Sequence, residues 1–185
     1  MSNAQVLTLN RYWQVPDLVV VGIFAAVVKV SSILVALMGG GMNPLTLILK
    51  NVIFTALLVV MLYKVRKFGT LTLFLVISAI ISALMLGGSL VLIPASILAG
   101  LIAEGVIMAL GGYRFTWSIM VGVAIYDLLS KTIGLGFSWL MMREEPRIIA
   151  MVAVIVAIGY IGSIIGLFVG RYFVKELRHA GIIRH

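Results

Sequence analysis

The chain has no cysteine and only two histidines among its 185 residues. Disulfides, thiolate nucleophiles and cysteine-ligated metals are therefore excluded. His179 and His185 both fall in the C-terminal stretch, outside every long apolar run, which argues against a histidine-based site within such a run. Charge is scarce as well: 11% of residues are charged and six are acidic, against 63% hydrophobic and a mean hydropathy of +1.23. A water-soluble domain of this length needs far more polar surface to cover its core, so the main solvent is lipid. No glycine-rich phosphate loop ending in Lys-Ser or Lys-Thr occurs, so ATP is not hydrolysed through a P-loop of this chain. The opening "MSNAQVLTLNRYWQVPD" has no long apolar core ahead of a small-residue cleavage site, and no removable signal peptide is expected.

What is present is a series of apolar runs. A spanning helix needs about 20 mostly apolar residues. Six segments qualify, at about 18–38, 44–63, 70–86, 90–110, 115–140 and 148–170. The expected fold is an all-α, integral membrane bundle of six transmembrane helices forming one domain over residues 1–185. Asn43 is placed to cap the second helix, with Pro44 at its first position. The fifth run is expected to be interrupted at Gly134 and Gly136. The net charge of +8 reads as basic loops that fix topology rather than as a nucleic-acid surface. With the N-terminus inside, the inner loops and tail receive Arg11, Lys64, Arg66, Lys67, Arg114, Arg171, Lys175, Arg178 and Arg184. The outer loops receive Arg143 and Arg147, offset by Glu144 and Glu145. Both termini are thus expected in the cytoplasm. Tyr12 and Trp13 read as an interfacial anchor before the first span.

Small residues form stripes. On a helical wheel Gly22, Ala25, Ala26, Lys29, Ser32 and Ala36 share one face of the first helix. Gly159, Gly162, Gly166 and Gly170 mark the sixth, and Ser96, Gly100 and Ala103 the fourth. Such stripes let backbones approach closely. In the fourth and sixth helices the expectation is internal packing, whereas the first-helix stripe can also meet a partner protein.

Five ionisable residues lie within the runs: Lys29, Lys50, Glu104, Asp127 and Lys131. Charges at bilayer depth are costly and are by default paired or functional. Asp127 and Lys131, four apart, share a helix face and can pair. Lys29 can pair across helices with Asp127 or Glu104, and an internal pair ranks ahead of a partner contact. Lys50 is near enough to the outer end to snorkel. The outer ends supply further candidates in "GGGMNP" and "GFSWLMMREEPR", whose aromatic, Met and few polar groups suit a pocket for an organic solute. The expected solute-binding set is Asn43, Lys50, Asn51, Lys131, Phe137, Trp139, Met142 and Arg143. No catalytic or metal-ligating constellation stands out in the spans, and an enzyme is not expected. A small secondary transporter or channel with proton-coupled buried charges is the alternative reading.

Several stretches resemble the substrate-binding S components of energy-coupling-factor (ECF) transporters, in the Trep-Strep or MptD-like branch. They are "DLVVVGIFAAV", "YKVRKFGTLTL", "AGLIAEGVIM", "WLMMREE" and "GRYFVKELRHAGII", in that order along nearly the whole chain. The resemblance implies high-affinity capture of a water-soluble vitamin from outside the cell membrane of a Gram-positive bacterium. It implies partnership with a transmembrane scaffold subunit and two cytoplasmic ATPase subunits, with no cofactor held by this chain. It also assigns Gly22, Ala25, Ala26 and Lys29 to the face that docks on the scaffold, although the family's alanines at four-residue spacing are only partly matched here. A wide, weakly charged pocket would suit cobalamin, the expected solute.

Overall fold

The computed structural model describes residues 12–39, 43–86, 93–141 and 146–181. Six helices follow one another: α1 (Val15–Gly39), α2 (Pro44–Lys64), α3 (Thr70–Leu86), α4 (Ile93–Ala109), α5 (Thr116–Met141) and α6 (Pro146–His179). A short 3-10 turn, Gly112–Arg114, joins α4 to α5. Helix is the natural outcome for such a chain, because backbone N–H and C=O groups in lipid must be satisfied within the segment. Four helical stretches are long and apolar enough to cross a membrane: Val15–Gly39, Pro44–Lys64, Thr116–Phe137 and Ala150–His179. Helices α3 and α4, with 17 residues each, reach about 25 Å at 1.5 Å per residue, the lower limit for a span.

The expected order of six helices is thus observed, with two corrections. Gly134 and Gly136 do not interrupt α5, which runs unbroken to Met141. A glycine in a helix costs only about 1 kcal/mol relative to alanine, less than exposing unpaired backbone groups at membrane depth. The sixth helix continues to His179, nine residues past its expected end at 170, since nothing in "RYFVKELRH" breaks a helix that has emerged from lipid.

The helices form a closed ring in the order α1, α3, α4, α5, α6, α2, with α2 also touching α5 across the middle. The α2–α6 pair has the most extensive contact, and the glycine stripe explains it. A Cβ at Gly162 would stand 2.6 Å from the Ile48 carbonyl oxygen, and one at Gly166 2.7 Å from that of Val52. At Gly170 it would stand 2.9 Å from the Val59 Cβ. Every fourth residue of α6 therefore lies directly on the α2 backbone. Lipid offers no hydrophobic drive between helices, so this close van der Waals fit is what joins them.

Packing is uneven along the membrane normal. The most deeply buried apolar side chains are Val21, Ala25 and Val28 of α1, Leu58, Val59, Met61 and Leu62 of α2, Leu71 and Phe74 at the start of α3, Ala99, Ala103 and Ile107 of α4, and Ile119 and Val123 of α5. All belong to the half of the bundle that carries the basic residues. The Tyr12 carbonyl accepts from Lys67 Nζ at 2.8 Å, its hydroxyl accepts from Phe68 N–H at 2.9 Å, and Asp17 pairs with Lys67 at 2.5 Å. The segment before α1 is thereby tied to the α2–α3 loop at the same end. The excess of positive charge lies at this end, the one expected on the cytoplasmic side.

Candidate functional site

The outer half of the bundle is hollow. A cavity of about 490 Å³ lies among α1 to α5. The helix register explains why it is there. Lys29 follows one turn after the buried Ala25, on the inward face of α1. Lys50 and Phe54 are one turn apart on α2. On α3, Ser78 and Ser82 are also four residues apart, and Ser96 lies in the first turn of α4. Small residues, Ala79 and Ala83, leave the space open. Tyr126 of α5 and Phe54 close the inner end, their rings 6.3 Å apart, and Phe54 also leans on Phe74 at 6.2 Å. The Ser82 hydroxyl donates to the Ser78 carbonyl at 2.9 Å.

The cavity is cationic. Among the described residues neither Lys29 nor Lys50 has a carboxylate within 4 Å, and both ammonium groups line the same cavity. The expected internal pair between Lys29 and Asp127 or Glu104 is not formed, because each carboxylate is engaged elsewhere. Glu104 is fully buried near the inner end of α4 and accepts from Leu71 N–H at 2.7 Å, Thr72 N–H at 3.3 Å and the Thr72 hydroxyl at 2.8 Å. It thus caps the start of α3, where free N–H groups and the helix dipole favour an anion. The Tyr113 hydroxyl donates to it at 3.4 Å. Burial, with the Glu104 charge beside it, holds the Tyr113 phenol far above its ordinary pKa, so it remains a donor. Asp127 pairs with Lys131 at 2.6 Å as the i,i+4 spacing predicts, and Lys131 donates onward to the Ser163 hydroxyl at 2.9 Å. Its ammonium also lies 5.7 Å from the Tyr160 ring centroid.

Of the expected solute-binding residues, the cavity includes Lys50. Lys131 is spent in the pair with Asp127. Asn51 donates to the Leu47 carbonyl and lies beside Gly159 in the α2–α6 seam. Asn43 occupies the N-cap position of α2, but its side chain donates backward to the Gly39 carbonyl at 2.8 Å instead of capping. Phe137 and Trp139 lie near the outer end of α5, away from the cavity lining, with Trp139 half exposed. Met142 and Arg143 fall outside the described residues. Lys29, expected on the docking face, lines the cavity instead. Of the other three docking candidates, Ala25 is fully buried, Gly22 is half-buried with open space where a Cβ would project, and Ala26 is exposed beside Ile23, Val27 and Val30. Sequence reading missed Phe54, Ser78, Ser82, Ser96 and Tyr126. The available signal was a set of hydroxyls at helical spacing inside otherwise apolar runs.

Six apolar helices around a solute-sized cavity in the outer half define a polytopic integral membrane protein. Within that class the model of a hypothetical bacterial integral membrane protein family, Trep_Strep, matches residues 15–146. The chain belongs to that family. No curated protein and no solved structure matches it.

Proposed function

We propose that the chain is the substrate-binding S component of an ECF-type transporter and that its cavity captures an anionic, water-soluble micronutrient from outside. The observation carrying this reading is the pair Lys29 and Lys50, two ammonium groups on one cavity with no carboxylate within 4 Å among the described residues. A charge near the membrane midplane costs about 2.5–3.5 kcal/mol even on insertion scales, and a carboxylate or phosphate of the solute offsets that cost when bound. The hydroxyls of Ser78, Ser82 and Ser96 supply neutral polar contacts, and Phe54 with Tyr126 an aromatic floor. A volume of about 490 Å³ falls within the range of small-molecule sites, about 300–1,000 Å³. This lining favours a compact anionic solute over cobalamin, which is bulky and mostly amide-decorated.

Energy for uptake then comes from partners: a transmembrane scaffold subunit and two cytoplasmic ATPase subunits, since no P-loop occurs in this chain. The exposed strip of α1 around Ala26 and Ile23 is the surface available to the scaffold. A proton-coupled secondary transporter is less favoured, because Glu104 and Asp127 are each held by their own partners, at a helix cap and in an ion pair. Purification of the tagged chain from its native membrane tests the assembly. ATPase subunits and a scaffold protein are expected with it. A solitary chain that conducts ions would overturn the proposal.

A further inference from the structure

A second groove lies at the opposite, cytoplasmic end, and the cargo reading does not use it. It measures about 640 Å³ and is formed where the last turns of α6 pass the end of α2 and the start of α5. Arg171, Lys175 and Arg178 recur at i, i+4 and i+7 along one face of α6, and all three line it. Among the described residues the lining contains no carboxylate. At its floor lies Tyr63, 2% exposed. The Tyr63 hydroxyl is buried and has no hydrogen-bond partner within 3.5 Å, although the Thr116 side chain is its neighbour.

Depth along α6 decides what such a groove meets. The uncharged run of α6 over 148–170 is long enough to cross the hydrocarbon, which takes about 20 residues, and Arg171 is the first charge beyond it. Phe168 and Tyr172, each 63% exposed, bracket that level as an aromatic belt does. Arg171 is therefore at phosphate depth, with Lys175 and Arg178 one and two turns beyond. We propose that this groove binds the phosphate headgroup of an anionic phospholipid of the inner leaflet. Its acyl chains would lie along the exposed aromatic side of α6. Arginine presents paired donors suited to phosphate oxygens, and basic pockets between helices on the cytoplasmic side hold such headgroups.

Native mass spectrometry of the protein released from vesicles of phosphatidylglycerol and phosphatidylcholine tests the proposal. The wild type is expected to retain phosphatidylglycerol preferentially. Arg171→Gln with Arg178→Gln should reduce that preference roughly 30-fold, at about 1 kcal/mol per basic residue. Lys175→Gln alone should reduce it about fivefold, and this milder variant decides the matter if the double variant does not fold. Lys67→Gln, at the same end but with its ammonium held by Asp17 and the Tyr12 carbonyl outside the groove, should leave it unchanged. Equal retention of both lipids by the wild type overturns the proposal, as does an equal loss in Lys67→Gln. Displacement of the lipid by millimolar inorganic phosphate would identify a free-phosphate site instead. Unchanged lipid preference in the groove variants, with loss of a co-purifying acidic protein, would assign the groove to that protein.

Discussion

Lys29 carries its charge about halfway along α1, where the membrane offers no counterion. Its place on the small-residue face was legible from the helical wheel, but that no carboxylate among the described residues pairs with it was not. That depends on Glu104 being taken up by the N–H groups of Leu71 and Thr72, more than 30 residues away in sequence. No spacing rule links a glutamate in one helix to the start of another. Two outcomes follow at this scale. Lys29→Met should leave the thermal midpoint in detergent unchanged or raised, because it removes an uncompensated charge, while solute affinity falls at least about tenfold, the loss of one charged hydrogen bond. Glu104→Ala should do the reverse. It strands buried N–H groups at about 1–3 kcal/mol each and lowers the midpoint, and the cavity lining itself is untouched.

Among the elements, α6 was the most legible. Four glycines at near four-residue spacing predicted close packing, and each of Gly162, Gly166 and Gly170 lies against the α2 backbone. Helix α5 was misread at Gly134 and Gly136, because in lipid the backbone hydrogen bonds outweigh the weak propensity of glycine. Gly166→Val should cost about 1–3 kcal/mol through overpacking, visible as earlier unfolding and weaker α2–α6 association. Gly22→Ala is the contrasting case: nothing lies within 4 Å of its Cβ, so it should keep the parent's stability or gain up to about 1 kcal/mol from helix propensity. The ion pair within α5, which reaches α6 through the Lys131–Ser163 hydrogen bond, gives a third comparison. Asp127→Asn leaves Lys131 charged and poorly compensated and should destabilise by about 3–5 kcal/mol, whereas Asp127→Leu with Lys131→Met should recover most of that loss.

For the whole molecule, the basic loops supply the expected orientation, and helix number was written in the alternation of apolar runs. The packed inner half and the hollow outer half were not, since they arise from how six helices tilt and meet. The absence of cysteine makes orientation directly testable. A single cysteine replacing Leu45 should react with an impermeant maleimide in intact cells, and one replacing Ala180 only after permeabilisation. The central claim is that the outer cavity holds an anionic solute between Lys29 and Lys50. The most direct test is mass spectrometry of the small molecules that remain bound to the purified chain, compared with Lys29→Met/Lys50→Met protein of equal thermal stability. A carboxylate- or phosphate-bearing compound retained by the parent and missing from the double variant is the predicted result. The same compound retained equally by both proteins, or a neutral solute such as cobalamin in the parent, would contradict the account.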